Sequence, residues 1–241
     1  MLVDGVDLGA GVRAGFSTRR GGSSLAPYDS LNLGLAVGDD PATVARNRAV
    51  LDDWVGVPVV YATQVHGTGV VVLAGPSGAP AGEADALVAT SPDVAVGVLV
   101  ADCVPVLLAD ASAGVVAAVH AGRRGLVSGV LQTAVSAMVH AGAGVDRIRA
   151  ATGPAISGRS YEVPAELRDE VAGVVPETFA TTSWGTPSLD LPAGVVAVLR
   201  GLGVLDVTVS ERDTFTDGDL FSFRRSARTG RSAGVVRPPA A

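Results

Sequence analysis

The chain has 241 residues, 48% of them apolar and 17% charged, enough to bury a core without disulfide staples and too apolar for a disordered chain. Its net charge is −6, and its basic residues are scattered, which argues against nucleic-acid binding through a basic stripe. A single cysteine excludes an intrachain disulfide, and apolar runs such as 94–108 are interrupted by Asp102 and Pro105 and too short to span a bilayer. No basic segment followed by an apolar one opens the sequence, so a cytoplasmic protein with no membrane association is expected.

Asp40 and Pro41 predict a helix start, because an aspartate caps free amides and proline needs no amide hydrogen at the first position. The helix should run to about Val55 and stop at Gly56. Short β-branched runs bounded by turn residues predict strands over 70–73, 85–89, 94–100, 104–108 and 114–120. A helix over about 125–141 follows, then strands over 147–152 and 205–210 and helices over 164–175 and 192–202. The loop 75–84, rich in Gly, Ala and Pro, reads as a surface excursion rather than a domain linker, and the tail 237–241 as frayed. Interleaved strands and helices with both hairpin and crossover spacings predict one α/β domain over 1–241 with a mixed sheet.

The chain has only three histidines and one cysteine. His66, Cys103 and His120 all sit at expected element ends near glycine or proline, where side chains can converge with backbone close by. A thiolate with two imidazoles is a donor set that zinc accepts while keeping a fourth position open; copper would also bind it. Asp102, beside Cys103, could orient a ligand or move a proton. A lone buried cysteine is more often a small hydrophobe and a strand-end histidine a hydrogen-bonded core residue, so the residues by themselves leave both readings open. His140 lies opposite the helical stripe Val127, Leu131, Ala134 and Met138 and should face solvent without a function. Every basic residue is an arginine, which fits GC-rich coding. Arg19 and Arg20 beside Gly21 and Gly22, and Arg224 and Arg225 after Phe223, offer guanidinium groups suited to anions such as phosphate, or plain solvated surface.

Taken together these motifs resemble the YfiH family, also described as the multicopper polyphenol oxidoreductase or laccase domain and as peptidoglycan editing factor PgeF. The matching pieces, in order, are Ser17-Thr18-Arg19 with Gly21-Gly22, Ser30-Leu31-Asn32-Leu33-Gly34, Gln64-Val65-His66-Gly67 and Ala84-Asp85-Ala86-Leu87. They continue with Ala101-Asp102-Cys103-Val104-Pro105, His120-Ala121-Gly122, Gly153-Pro154-Ala155-Ile156 and Phe221-Ser222-Phe223-Arg224-Arg225. The resemblance implies an α/β sandwich related to Cys/His hydrolases and a zinc or copper site held by His66, Cys103 and His120. With Asp102 these form the candidate catalytic set; Arg19, Asn32, Gln64 and Arg224 are the candidate substrate-binding residues. The sequence departs from the family pattern at Arg123, where tryptophan is common, over Ser157–Ser160, and at Asp213, where cysteine is common.

The resemblance implies a metal-dependent purine nucleoside enzyme acting on nucleoside and phosphate. Phosphorolysis of adenosine, inosine or methylthioadenosine needs an anion site, for which Arg19 and Arg224 are candidates; adenosine deamination needs water acidified toward a pKa of ~7 by the metal. Removal of serine from muropeptide precursors of peptidoglycan is an alternative at the same site. A copper polyphenol oxidase of the multicopper type would need many more imidazoles than three. A non-catalytic metal-binding partner protein would be expected to close its site with four protein ligands, and a metal-free Cys103–His nucleophile pair is a further alternative.

Overall fold

A computed structural model of the chain describes residues 3–76 and 81–240. The first half contains β1 (Val3–Gly5), β2 (Arg13–Ser17), α1 (Pro41–Val55), β3 (Val59–Tyr61), β4 (Val70–Leu73), β5 (Ala86–Ala89) and β6 (Ala95–Val100). Next come β7 (Val104–Asp110), β8 (Val115–Ala121), α2 (Arg123–Ser128), α3 (Val130–His140) and β9 (Arg149–Thr152). The chain closes with α4 (Ala165–Ala172), β10 (Phe179–Thr181), β11 (Pro187–Leu189), α5 (Leu191–Gly201), β12 (Asp206–Val209) and β13 (Ser232–Arg237).

Two mixed sheets dominate. One runs β1-β2-β13-β6-β3 and the other β12-β9-β7-β8-β5-β4. The pairs β3–β6, β4–β5 and β9–β12 are parallel and the other pairings in these two sheets antiparallel. Side chains alternate across each strand. In β7, Val104, Val106 and Leu108 pack with α3 and α5, whereas Leu107 and Ala109 meet Phe16, Val96 and Val98 of the other sheet. On the far face of the five-stranded sheet, Ala233 and Val235 pack with Leu51 of α1. The order of layers is therefore helix, sheet, sheet, helix. Because both faces of both sheets are covered, the inner strands read as near-continuous apolar runs rather than alternating ones. No helix among the described residues is long and apolar enough to cross a membrane.

The helix α1 has the expected bounds, with the Thr43 amide donating to the Asp40 carboxylate at 2.9 Å. Several expectations are corrected. The helix expected over 125–141 is two helices that begin at Arg123 and break at Gly129, whose φ of 96° is left-handed. Helices α4 and α5 are shorter than expected or shifted by one residue, Pro164 serving as a cap rather than a helical residue. Strands β1, β2, β3, β10, β11 and β13 were not read from the sequence. Arg237 of the tail expected to be frayed ends β13 and donates through Nε to Pro92 O at 2.7 Å; Ala241 lies outside the described residues. Residues 77–80 of the loop 75–84 also lie outside them, while Gly82 accepts from the Thr63 amide at 2.8 Å.

An added Cβ at Gly129 meets only the Gln132 side chain, no closer than 3.4 Å, so the cost of Gly129→Ala is one of backbone conformation. It should lower stability by about 1–2 kcal/mol, read as a lower urea midpoint at an unchanged slope. An unchanged midpoint would contradict the left-handed junction.

Candidate metal centre and substrate cavity

Two segments cross from the five-stranded to the six-stranded sheet at the same end of the sandwich. One joins β3 to β4 and carries His66; the other joins β6 to β7 and carries Cys103. His120 shares its side of β8 with Val116 and Ala118, the side that faces the other sheet. The three side chains therefore meet at the end of the seam between the sheets. Each offers one ligand atom, and these atoms lie within 4.8 Å of one another. The two imidazoles meet edge to face with centroids 4.7 Å apart, and Cys103 Sγ lies 3.8 Å from His66 Nε2. An ion with bonds of ~2.0–2.3 Å bridges donors at close to this spacing. Among the described residues no other group of histidine, cysteine or acidic side chains has this arrangement.

Asp85 organises the cluster, a role that sequence reading did not assign to it. It is fully buried and its carboxylate accepts from the amides of Val65, His66 and Gly67 at 3.2, 3.0 and 2.7 Å. His120 Nδ1 lies 2.8 Å from Asp85 Oδ1. With Nδ1–H donating there, His120 keeps Nε2 free as a ligand. One carboxylate thus fixes the loop that carries His66 and the tautomer of His120. Its signal in the sequence is a charge at the head of an apolar strand, in Ala84-Asp85-Ala86-Leu87.

Close approach and local strain complete the geometry. A Cβ at Gly122 would lie 2.7 Å from His66 Cδ2 and 3.1 Å from Cys103 Sγ, so the backbone there must be glycine. His66 and Asp102 have φ of 59° and 99°, a conformation that costs of order 1–3 kcal/mol each and persists only where surrounding bonds enforce it. Asp102 is held by such bonds. Its carboxylate accepts from Thr214 Oγ1 and from the Arg224 amide, each at 2.6 Å, and its carbonyl from the Ile156 amide at 2.9 Å. It acts as a tie between three segments.

The charges of the metal-free cluster follow from these contacts. Burial alone would raise the Asp85 carboxyl, but hydrogen bonds from His120 and the Gly67 amide overcome it and hold the group below the ordinary carboxylate range. Burial pushes the Cys103 thiol up; hydrogen bonds and charge from His120 and His66 outweigh this and bring it to about 6. Burial also disfavours charge on His120, yet Asp85 and Cys103 raise it to about 9. In the metal-free site these contacts favour the thiolate of Cys103 and the imidazolium of His120 together.

The cluster lies in a cavity of about 810 Å³, lined also by Arg48, Tyr61, Arg123, Tyr161, Arg224 and Arg231. None of these four arginines pairs with a carboxylate among the described residues. Of the candidate substrate residues, Gln64 and Arg224 line the cavity and Arg19 and Asn32 do not. Gln64 already exchanges two bonds of 2.8 Å with the Leu99 backbone, which makes it part of the wall. Arg19 is turned to Asp29, 3.0 Å away, and lies over Phe221. Asn32 is fully buried, donating to Asp39 and accepting from the amides of Gly34 and Arg231. Both correct the expectation; their bonding capacity is turned inward to hold loops. His140 is exposed, away from the cluster. The departures at Ser157, Ser160 and Asp213 coincide in space: both serine hydroxyls donate to the Asp213 carboxylate, at 2.7 and 2.6 Å.

Asp85→Asn should weaken metal affinity ~10- to 100-fold, measured by competition with a chromophoric chelator; unchanged affinity would remove Asp85 from its organising role. A second expectation concerns charge. Because the Cys103 pKa is depressed to about 6, alkylation of the metal-free protein should stay fast down to about that pH and be lost below it. A half-point near 8.5, the value of an ordinary thiol, would contradict the thiolate–imidazolium pair.

Comparisons with known proteins identify the family. A family model described as multi-copper polyphenol oxidoreductase laccase matches residues 13–238. A purine nucleoside phosphorylase of Streptomyces griseus is 54% identical over 226 residues, 92% of each chain. A crystal structure of a Neisseria meningitidis protein superposes with a TM-score of 0.89 at 37% identity, covering 100% of both chains. That of Bacillus licheniformis protein YfiH gives 0.84 at 28% identity over 94% of this chain and 92% of the other. The chain belongs to the multi-copper polyphenol oxidoreductase laccase family, the YfiH family of its motifs.

Proposed function

We propose that the protein is a cytoplasmic, zinc-dependent purine nucleoside phosphorylase whose substrates are adenosine, inosine or methylthioadenosine together with phosphate. The observation that carries the reading is the cavity itself: a three-donor cluster opening onto a space lined by four arginines without acid partners. The relative from Streptomyces griseus named for the same activity supports it.

The donor chemistry fits a borderline-soft ion, with the Cys103 thiol already disposed to ionise and His120 oriented by Asp85. When bound, the ion supplies a Lewis acid that polarises a substrate oxygen or acidifies a coordinated water. In phosphorolysis a phosphate oxygen forms a bond to the ribose anomeric carbon as the bond to the purine nitrogen breaks. The products are the free base, which takes up a proton, and ribose 1-phosphate. Unpaired guanidinium groups in the cavity wall can hold the phosphate and neutralise its charge, a function that surface guanidinium groups with acid partners would not serve. Tyr161 and Phe223 line the cavity with apolar ring surface suited to a base. Water acidified by such an ion would suit adenosine deamination as a second reaction of the site. A multicopper oxidase is not supported by an inventory of three histidines, of which His140 is exposed.

The test combines elemental analysis with product analysis. Protein carrying about one zinc per chain should release adenine and ribose 1-phosphate from adenosine only when phosphate is present. Cys103→Ala should lose the metal and the activity together, because two imidazoles remain, while His140→Ala leaves both within error. Release of serine from a muropeptide precursor by loaded protein that leaves nucleosides intact would overturn the reading.

A further inference from the structure

The cavity's arginines belong to two groups. Arg123 and Arg224 lie toward Tyr161: Arg224 sits over its ring at 4.9 Å, and burial raises its pKa while the charges of Arg123 and Arg224 both act to lower it. Arg48 and Arg231 instead attach to Leu33. Arg48 Nε donates to the Leu33 carbonyl at 2.9 Å, and the Leu33 amide donates to the Arg231 carbonyl at 3.1 Å. Arg48 also lies over Tyr61 at 4.6 Å and Arg231 over Phe223 at 5.8 Å. Arg48, Tyr61 and Arg231 all line the cavity.

We infer that Arg48, Tyr61 and Arg231 form a phosphate-binding subsite, the seat of the phosphate co-substrate under the function proposed above. Three observations converge on it. The Tyr61 hydroxyl is buried with no hydrogen-bond partner, although buried phenols ordinarily find one. Burial raises the Tyr61 pKa and keeps the phenol protonated, so it is a donor awaiting an acceptor. Arg48 spends only Nε–H on a protein acceptor, and Arg231 only its Nη1 group, on the carbonyls of Thr229 and Gly230 at 3.1 and 3.0 Å. Both guanidinium groups are partly desolvated, which costs them basicity, and neither is repaid by a carboxylate at ion-pair distance. An assembly of several donors without an acidic partner suits a ligand that only accepts, and a phosphate presents oxygens on every side. The edge of a purine, which alternates donors and acceptors, would leave some of these groups unpaired.

The experiment is titration calorimetry of the zinc-loaded protein with inorganic phosphate and, separately, with adenosine monophosphate, without nucleoside turnover. Arg48→Gln and Arg231→Gln should each weaken phosphate binding ~10- to 100-fold. Tyr61→Phe should weaken it about five-fold; its hydroxyl has no protein partner to lose, so the variant should fold as wild type. In adenosine phosphorolysis the three variants should raise KM for phosphate while leaving KM for adenosine nearly unchanged. Undiminished phosphate affinity in Tyr61→Phe and Arg231→Gln proteins of wild-type thermal midpoint would overturn the inference. So would a loss seen with adenosine monophosphate alone, which would assign the subsite to a nucleotide's ester. If phosphate binding falls as expected but no adenine is ever released, the subsite stands and the phosphorylase reading falls. If adenine is released with an unaltered KM for phosphate in all three variants, the subsite falls and the phosphorylase reading stands.

Discussion

A carboxylate sealed from solvent at the end of a sheet-to-sheet seam is unfavourable unless its lone pairs are filled. At Asp85 they are filled by three consecutive backbone amides and one imidazole. Much of the site depends on that exchange. The amides belong to the segment that crosses between the sheets, so satisfying the charge folds the chain into the left-handed turn that presents His66. The imidazole belongs to β8, so the same charge fixes which nitrogen of His120 remains available. Cys103 then enters from the second crossing segment, across from Gly122, where no side chain could be accommodated. Removing the carboxylate would release two ligands at once, which is why its effect should reach metal affinity rather than stability alone.

Around this centre the protein builds a positive cavity in an acidic chain. Arginines at the cavity wall are steadied by aromatic faces and main-chain carbonyls in place of carboxylates: Arg48 on Tyr61, Arg224 on Tyr161 and Arg231 on Phe223. Ring contacts of this kind contribute roughly 0.5–2 kcal/mol each and leave the net charge of the guanidinium uncompensated. Pairing with aspartate would have stabilised the same side chains and cancelled their field. Arg19, bound to Asp29, shows that outcome. The cavity is thus organised before any anion arrives, which spares a ligand the cost of ordering long side chains.

How much of this can be read from sequence depends on how local the cause is. The strands β6, β7 and β8 are legible because both of their faces are buried and their β-branched runs say so. The helix α1 is legible because Asp40, Pro41 and Gly56 carry its boundaries. By contrast β2 and β13, with Arg13-Ala14-Gly15-Phe16-Ser17 and Ser232-Ala233-Gly234-Val235-Val236-Arg237, have weak strand character; β13 is held between β2 and β6, partners more than a hundred residues away. Scarce donors at element ends made His66, Cys103 and His120 candidates, and the family motifs around them joined the three into one ligand set. Asn32 and Arg19 were not legible, since residue type does not reveal whether a polar group faces a cavity or a neighbouring loop. The contributions of Arg48, Tyr61 and Arg231 arise only when α1, β3 and the approach to β13 come together.

The central claim is that one ion is held by two imidazoles and a thiolate beneath this cavity. X-ray absorption at the zinc edge of the loaded protein tests it most directly. One sulfur neighbour at ~2.3 Å and nitrogen or oxygen neighbours at ~2.0 Å are expected. A coordination shell without sulfur would place the metal elsewhere and contradict the assignment of Cys103.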